Sequence, residues 1–368
     1  MSSLDDSFEA NLLRRAFMLA EEGRGTTAPN PMVGAVVFAD GEVVGEGRHM
    51  RAGGPHAEIE ALAAAGERAR GADIYVSLEP CCHQGRTTPC TDAIIEAGMA
   101  RVIIGAPDQN PMVAGGGVAH LREAGLEVIE AGKPAEFLRQ NEMFVKYVTR
   151  REAFVVLKIA ASLNGMISEA PRTRTGLTGD EANRYVHELR RDIQAVAVGA
   201  GTAIADDPLL TCRLDDGEAP QPLRIVIDSA GRTPLTGRLA KTAGASQVLL
   251  AATERLEEAR RRAYETAGIE VMVCASNGRG RVDLRDLLKR LAKREIIGVM
   301  VEGGSTLNET LVREGIVDKL VLLLAPKALG GAEPVPMLAG KGVDAGFEVT
   351  ETRILGDDVL IEAYPRRD

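Results

Sequence analysis

Apolar positions recur at helical spacing from Phe8 to Glu22 (Phe8, Leu12, Leu13, Ala16, Phe17, Ala20) and stop at Gly23, which predicts an opening amphipathic helix. Val33–Phe38 and Glu42–Gly47 then flank Asp40-Gly41, a dipeptide that tolerates the left-handed turn of a tight hairpin. The pattern continues as a helix at His56–Ala65, a strand at Asp73–Leu78, a helix at Cys90–Ala97 and a strand at Arg101–Gly105. A helix at Val118–Ala124 and a strand at Leu126–Glu130 follow, and Lys133–Val148 reads as one helix entered through Pro134. Alternation of strands and helices predicts a layered α/β domain.

A fresh apolar strand begins straight after the basic pair Arg150-Arg151, so the junction is placed near Thr149–Glu152, giving domains at 1–150 and 151–368. The second part alternates as well. Strands are expected at Val155–Ala160, Ala195–Val198, Leu223–Ile227, Gln247–Ala251, Glu270–Cys274, Ile297–Val301 and Lys319–Leu324. Helices are expected at Gly179–Arg191, Glu254–Ala267, Leu284–Lys293 and Thr306–Glu314, with two last strands around Gly356-Asp357.

Composition narrows the function classes. A chain of 368 residues is long enough for two domains with full cores. Its net charge of −9, lack of tryptophan and 3% aromatic content argue against a general nucleic-acid binder. The polar, acidic stretch Met1–Glu9 carries no signal-peptide pattern, and no apolar run is long enough to span a bilayer. The expected setting is therefore a reducing cytoplasm, which turns the five cysteines toward metal binding or catalysis and away from disulfides.

Three of those cysteines fall in "SLEPCCHQGRTTPC", Ser77–Cys90, together with His83. A second constellation, His56-Ala57-Glu58, opens a helix after Gly53-Gly54-Pro55. One imidazole and two thiolates suffice for a zinc site with an open fourth position, where a water becomes acidic enough, with a pKa of about 7, to supply hydroxide. Glu58, two residues from His56, is suited to carry the proton. This is the pairing that hydrolytic removal of a ring amine requires, and a His-x-Glu with Pro-Cys is the zinc-deaminase pattern. Eight residues separate Cys81 from Cys90 instead of the usual two, so Cys82 and His83 stand as rival ligands. A closed structural knot of four such side chains is the competing arrangement, and it leaves His56-Ala57-Glu58 unexplained.

The chain closely resembles the bacterial bifunctional riboflavin-biosynthesis deaminase/reductases over nearly its full length. The resemblance rests on Ser77–Cys90 and on "APNPMVGAVV" (Ala28–Val37), "GGPHAEIEAL" (Gly53–Leu62) and "NPMVAG" (Asn110–Gly115). In the second half it rests on "VGAGTAIADDPLLTCR" (Val198–Arg213) and "VEGGSTLNETL" (Val301–Leu311). It implies a cytidine-deaminase-like three-layer domain followed by a dihydrofolate-reductase-like domain. It also implies one Zn2+ on His56, Cys81 and Cys90, Glu58 as proton shuttle, and Cys82 and His83 as loop-shaping residues. The implied substrate is a phosphorylated diaminopyrimidine, deaminated first and then reduced from ribosyl to ribityl with NADPH. Asn30 would hold the substrate; its prolines also suit it to a plain turn.

In the second domain the residues themselves offer two glycine turns after strands, Val198–Thr202 and Val301–Thr306, the second opening a helix as a phosphate cradle would. By resemblance, cofactor contacts fall on Ala160, Gly176, Thr202, Asp206, Ser229 and the run Gly304, Ser305, Thr306, Leu307, Asn308, Glu309, Thr310. Substrate contacts fall on Arg174, Arg190, Leu210, Arg213 and Glu302. The chain departs from the family at Asn164 (usually aspartate), at Gly176 (a tryptophan), at Arg174 (a serine) and at Gly116 (an arginine). The Asn164 and Gly176 departures predict weaker cofactor binding, the Gly116 departure predicts weaker phosphate binding in the deaminase, and a rival reading follows, a deaminase whose reductase half is an impaired scaffold. The resemblance leaves a homo-oligomer open and implies neither a nucleic-acid nor a membrane partner.

Overall fold

The computed structural model describes residues 8–83, 88–111, 114–214, 219–340 and 343–366. The first seven residues, the middle of the cysteine loop (84–87) and positions 112–113 of the Asn110–Gly115 stretch lie outside the described residues. The chain divides into two compact units, Met1–Arg151 and Glu152–Asp368.

The first unit opens with α1 (Phe8–Glu21), then β1 (Gly34–Ala39), β2 (Glu42–Arg48), α2 (Ala57–Ala65), β3 (Asp73–Leu78) and α3 (Cys90–Glu96). It continues with β4 (Arg101–Ala106), α4 (Gly116–Glu123), β5 (Glu127–Glu130), α5 (Pro134–Gln140) and α6 (Glu142–Arg150). Five strands form one sheet in the order β2-β1-β3-β4-β5. The β1–β2 hairpin is antiparallel, with Asp40 at φ 52° and Gly41 at φ 85° making the left-handed turn. The β3, β4 and β5 strands run parallel. Helices cover both faces. A Cβ on Gly34 would strike the α1 backbone at Ala16, whereas Cβ atoms on Gly45 and Gly47 would overlap carbonyls of α2 at Ala61 and Ala57. These two glycines bring α2 against the sheet and fix where its first turn lies. Ala35, Val37, Ala57, Ala61, Ile74, Val76 and Ile104 form the core on that side. The stretch Lys133–Val148, expected as one helix, is two. They part at Asn141, whose backbone departs from helical angles (φ −114°, ψ 29°) and whose buried amide accepts from Met32 N (2.7 Å) and donates to Met32 O (3.2 Å).

The second unit runs β6 (Phe154–Ser162), β7 (Met166–Ser168), α7 (Asp180–Asp192), β8 (Ala195–Gly199), α8 (Ala200–Asp206), β9 (Leu223–Ile227), α9 (Arg238–Lys241) and β10 (Val248–Ala252). Then come α10 (Glu258–Thr266), β11 (Glu270–Val273), α11 (Leu284–Lys293), β12 (Gly298–Val301), α12 (Ser305–Arg313) and β13 (Lys319–Ala325). The last strands are β14 (Val335–Pro336), β15 (Phe347–Leu355) and β16 (Asp358–Pro365). Nine strands form a sheet in the order β11-β10-β9-β8-β12-β6-β13-β16-β15, the first seven parallel and the last two an antiparallel hairpin edge. Near-continuous apolar strands such as β8 and β10 are buried on both faces, as parallel strands covered by helices must be. The α11 helix places Leu284, Leu287, Leu288 and Leu291 on the sheet beside Val155, Leu157 and Ile225. Ligand sites in such sheets lie at the carboxyl ends of the parallel strands.

Candidate metal site and cofactor cavity

Pro55 and the extended backbone of His56 (φ −78°, ψ 159°) start α2, so His56 caps the helix and Glu58 enters its first turn. The β3 strand delivers Cys81 at its carboxyl end, and Cys90 is the first residue of α3. The intervening loop returns because Thr91 N donates to Cys81 O (3.2 Å) and Cys90 N to Cys81 Sγ (3.5 Å). His56 Nδ1 lies 3.2 Å from Cys90 Sγ and 3.6 Å from Cys81 Sγ. The three ligand atoms lie within 4.8 Å of one another, and among the described residues no other group of three potential metal ligands gathers this way. Neither Cys82 nor His83 joins the cluster. The Cys82 thiol packs against Gly116, where a Cβ would stand 2.8 Å from Sγ. Two soft thiols and an imidazole, half-buried to buried and sharing one focus, fit zinc. Hydrogen bonds from Cys90 and His56 hold the Cys81 thiol well below its usual pKa. Glu58 is buried, 4% exposed, and that burial pushes its carboxyl up to about 7.

Two residues beside this cluster carry no signal in the sequence. One is His49. Asn30 is expected at the site, and its Nδ2 faces His49 Nε2 at 3.1 Å. His49 Nδ1 in turn points at Pro55 O (2.8 Å), next to His56, so buried His49 ties Asn30 to the entrance of α2. The other is Glu79, 3% exposed, which accepts backbone N–H groups from Asp108, Gly115, Gly117 and Val118 at 2.9–3.2 Å. That carboxylate fastens the start of α4 and the loop before it onto the strand that carries Cys81. A Cβ at Gly117 would overlap Pro80 O, so glycine is required there.

In the second unit one cavity of about 1330 Å³ opens along the strand ends. The expected cofactor positions Ala160, Gly176, Thr202, Asp206 and Ser229 line it, and so do Gly304, Ser305, Thr306, Leu307 and Thr310. Asn308 and Glu309, expected in the same run, are not among the residues that line it. Asn308 is buried and donates to Met337 O (3.1 Å), while Glu309 pairs with Arg313 (2.6 Å). The two glycine turns meet: a Cβ on Gly304 would stand 3.1 Å from Thr202 Oγ1. Ser305 Oγ and Asn308 Oδ1 are buried with no hydrogen-bond partner among the described residues, in and behind the amino-terminal turn of α12. Glycine turns, a helix amino terminus and the unpartnered Ser305 hydroxyl, which can donate, fit the phosphates of a dinucleotide.

The expected substrate positions Arg174, Arg190, Leu210, Arg213 and Glu302 line the same cavity. Arg190 is buried and its fork is engaged, with Nε and Nη2 on the Glu302 carboxylate at 2.7 and 2.9 Å and Nη1 on Thr211 O at 3.1 Å. Arg213 is the freer guanidinium, anchored by Thr211 Oγ1 (2.9 Å). His187, which the sequence does not single out, accepts Arg213 N (3.1 Å); burial and the cations Arg190 and Arg213 push it down to about 4, so it is neutral. Lys158 is equally silent in the sequence. Its ammonium lies 3.7 Å from Glu302, and burial lowers its pKa. For Glu302, burial acts upward, but Arg190 and Lys158 outweigh it and bring the carboxyl to about 2.

Two of the family departures, Asn164 and Gly176, have distinct local settings. Asn164 does not line the cavity; it receives Leu329 N (2.9 Å) and donates to Leu329 O (2.7 Å), a reciprocal bond that an aspartate could only half make. Gly176 borders open space, with nothing within 4 Å of where a Cβ would stand. Nothing in this cavity marks the second unit as impaired.

The family model described as "RibD C-terminal domain" matches residues 153–361, and that described as "Cytidine and deoxycytidylate deaminase zinc-binding region" matches residues 6–106. The chain is 39% identical over 364 residues to the riboflavin biosynthesis protein RibD of Escherichia coli, covering 95% of this chain and 97% of that protein. It is 38% identical to RibD of Actinobacillus pleuropneumoniae, covering 96% of this chain and 94% of that one. The solved structure of Acinetobacter baumannii RibD superposes with a TM-score of 0.89 at 33% identity, covering 98% of this chain and 99% of that one. The Thermotoga maritima diaminohydroxyphosphoribosylaminopyrimidine deaminase/5-amino-6-(5-phosphoribosylamino)uracil reductase superposes with a TM-score of 0.83 at 34% identity, over 97% and 99% of the two chains.

Proposed function

The chain belongs to the RibD family of bifunctional riboflavin-biosynthesis deaminase/reductases, and from that membership we propose which residues perform each half-reaction and on what substrate. The first unit deaminates a 2,5-diamino-6-ribosylamino-pyrimidinone 5′-phosphate. His56, Cys81 and Cys90 hold Zn2+, which when bound supplies the Lewis acidity that makes water nucleophilic at neutral pH. Replacing the 2-amino group by oxygen moves one proton off the attacking water and one onto the departing nitrogen. Glu58, buried beside the metal ligands and with a carboxyl near neutrality, carries both. Asn30, oriented by His49, holds the pyrimidine.

The second unit reduces the deaminated product. NADPH supplies the hydride equivalent, and the chain supplies position and the accompanying proton. The glycine turn Gly303–Ser305 and Thr202 receive the cofactor phosphates, and Arg213 the substrate phosphate. Opening the ribose leaves an alkoxide oxygen that needs a proton as the sugar carbon takes the hydride. Lys158 is the buried acid facing that region, held by Glu302.

The observation that carries this reading is the convergence of one histidine and two cysteines, supplied by separate elements, with the buried Glu58 beside them, in a chain that also holds a cavity of about 1330 Å³. The test is ammonia release and NADPH oxidation by the purified chain with the diaminopyrimidine phosphate. Both should occur. Ammonia release without oxidation of saturating NADPH would return the second unit to the role of scaffold.

A further inference from the structure

Arg224 is the largest fully buried side chain among the described residues, and the chemistry above does not use it. It stands in β9 between β8 and β10, and no carboxylate among the described residues pairs with it. Burial lowers its pKa to about 10, so it stays a cation at neutral pH. A charge sealed in the interior without a counterion is costly, and only its hydrogen bonds offset that cost. Nη1 donates to Leu209 O (3.1 Å) and Thr242 Oγ1 (2.7 Å); Nη2 donates to Thr242 O (3.0 Å) and to Ser246 O. One guanidinium joins the loop after α8 to the turn after α9. The first residue of α9 ties the same two stretches from its other end, since Arg238 N donates to Asp207 Oδ1 (2.6 Å).

The loop it holds borders the cavity. Leu209, Leu210 and Arg213 line that cavity, whereas Arg224 is not among the lining residues. From Leu209 to Arg213 the chain belongs to no helix or strand, and side chains hold its backbone instead. Gln221 bonds both N and O of Cys212 (3.0 Å each), Arg190 donates to Thr211 O, and His187 accepts Arg213 N. Arg224 holds the carbonyl immediately before Leu210. The φ of Leu210, 57°, is a left-handed angle that a leucine keeps only where its surroundings fix it.

That carbonyl decides where the next N–H points. The 209–210 peptide is trans, so its C=O and N–H lie on opposite sides of the bond. With Leu209 O turned to the buried Arg224, Leu210 N–H faces the other way, and it has no partner among the described residues. Resting on the assignment of this end of the cavity to the phosphorylated substrate, we infer that Arg224 is a positioning residue for the reduction. By holding Leu209 O it turns the 209–210 peptide so that Leu210 N–H donates to the sugar-phosphate oxygens of the substrate, and it sets the direction from which Arg213, three residues on, reaches the phosphate. Arg224 itself touches neither substrate nor cofactor.

Two full-length variants separate positioning from packing. Arg224→Lys keeps a charge on a long stem but loses the fork, and Thr242→Val removes one acceptor of the same guanidinium while Leu209 O stays bonded. Both are assayed for reduction of supplied deaminated substrate, with NADPH affinity, ammonia release and the urea midpoint measured alongside. Arg224→Lys should raise the Michaelis constant for that substrate roughly tenfold or more and lower turnover by less, with NADPH affinity and ammonia release unchanged. Thr242→Val should keep a wild-type Michaelis constant. An unchanged constant in Arg224→Lys, or the same rise in Thr242→Val at a matched urea midpoint, would make the clasp purely structural and overturn the inference. The wild type offers a readout that needs no variant: deaminated substrate should slow hydrogen exchange of the Leu210 amide, and unchanged exchange at saturation also overturns the inference. Arg213→Ala distinguishes the two levels of the argument. A raised Michaelis constant there with none in Arg224→Lys removes only the positioning role, whereas unchanged constants in both remove the substrate assignment on which it rests.

Discussion

Glu58 and Cys90 come from different helices yet lie against one another, and the role proposed for each can be tested by a change of one or two atoms. Glu58→Gln keeps the shape of the side chain and removes its proton traffic; it should retain zinc and lose ammonia release by roughly a hundredfold or more. Metal analysis should find little zinc in Cys90→Ser and near-stoichiometric zinc in Cys82→Ser, since only Cys90 belongs to the ligand cluster. A Cys82→Ser protein without zinc would reassign the ligands. Glu302 makes a pH prediction. Its folded carboxyl lies at about 2, below the ordinary 4.5, so it contributes stability that is present above the unfolded value and lost as pH falls through the folded one. In urea titrations from pH 5 to 3, Glu302→Gln should flatten the acid-side decline in the second unit's midpoint. At this scale the sequence is informative where chemistry is local: His56 and Glu58 share one helical turn, and Cys81 and Cys90 one loop. His49, Glu79, Lys158 and His187 gain meaning only from partners 6 to 144 positions away, such as Pro55 and Glu302, and no spacing rule announces them.

Among the elements, long amphipathic segments are legible in the sequence and short ones are not. Leu284–Lys293 matches its expected range because ten residues at helical period fix it, and Leu223–Ile227 matches because a short apolar run is bounded by Pro222 and Asp228. The α8 helix reads as a glycine turn because it has only seven residues, starting Ala-Gly-Thr. The β7 and β14 strands, three and two residues long, carry too few positions to show a period. The break between α5 and α6 leaves no local mark: Asn141 keeps its backbone hydrogen bonds with Phe137 and Val145 while its side-chain amide binds both backbone groups of Met32, two residues from Asn30. Asn141→Ala would orphan that buried N–H and C=O, at a cost of about 1–3 kcal/mol. Ammonia release should therefore fail at a lower urea concentration in this variant, while NADPH oxidation with deaminated substrate keeps its wild-type midpoint.

Over the whole molecule, the His56, Cys81 and Cys90 cluster lies within Met1–Arg151 and the cavity within Glu152–Asp368. Stripping zinc with a chelator should abolish ammonia release and leave reduction of supplied deaminated substrate largely intact. Arg213→Ala should do the converse, raising the Michaelis constant for the phosphorylated substrate more than it lowers turnover, because it removes a phosphate partner and not a reacting group. Loss of both activities on chelation would refute this independence. The glycines that let α2 lie against β2 carry a further consequence for genetics. Gly45 and Gly47 bind nothing and react with nothing, yet any side chain there collides with the carbonyls of Ala61 and Ala57, one of them the residue between His56 and Glu58. In a saturation library selected for growth without riboflavin, both positions should be as barren as the zinc ligands, so survival alone would place the active site on the wrong strand.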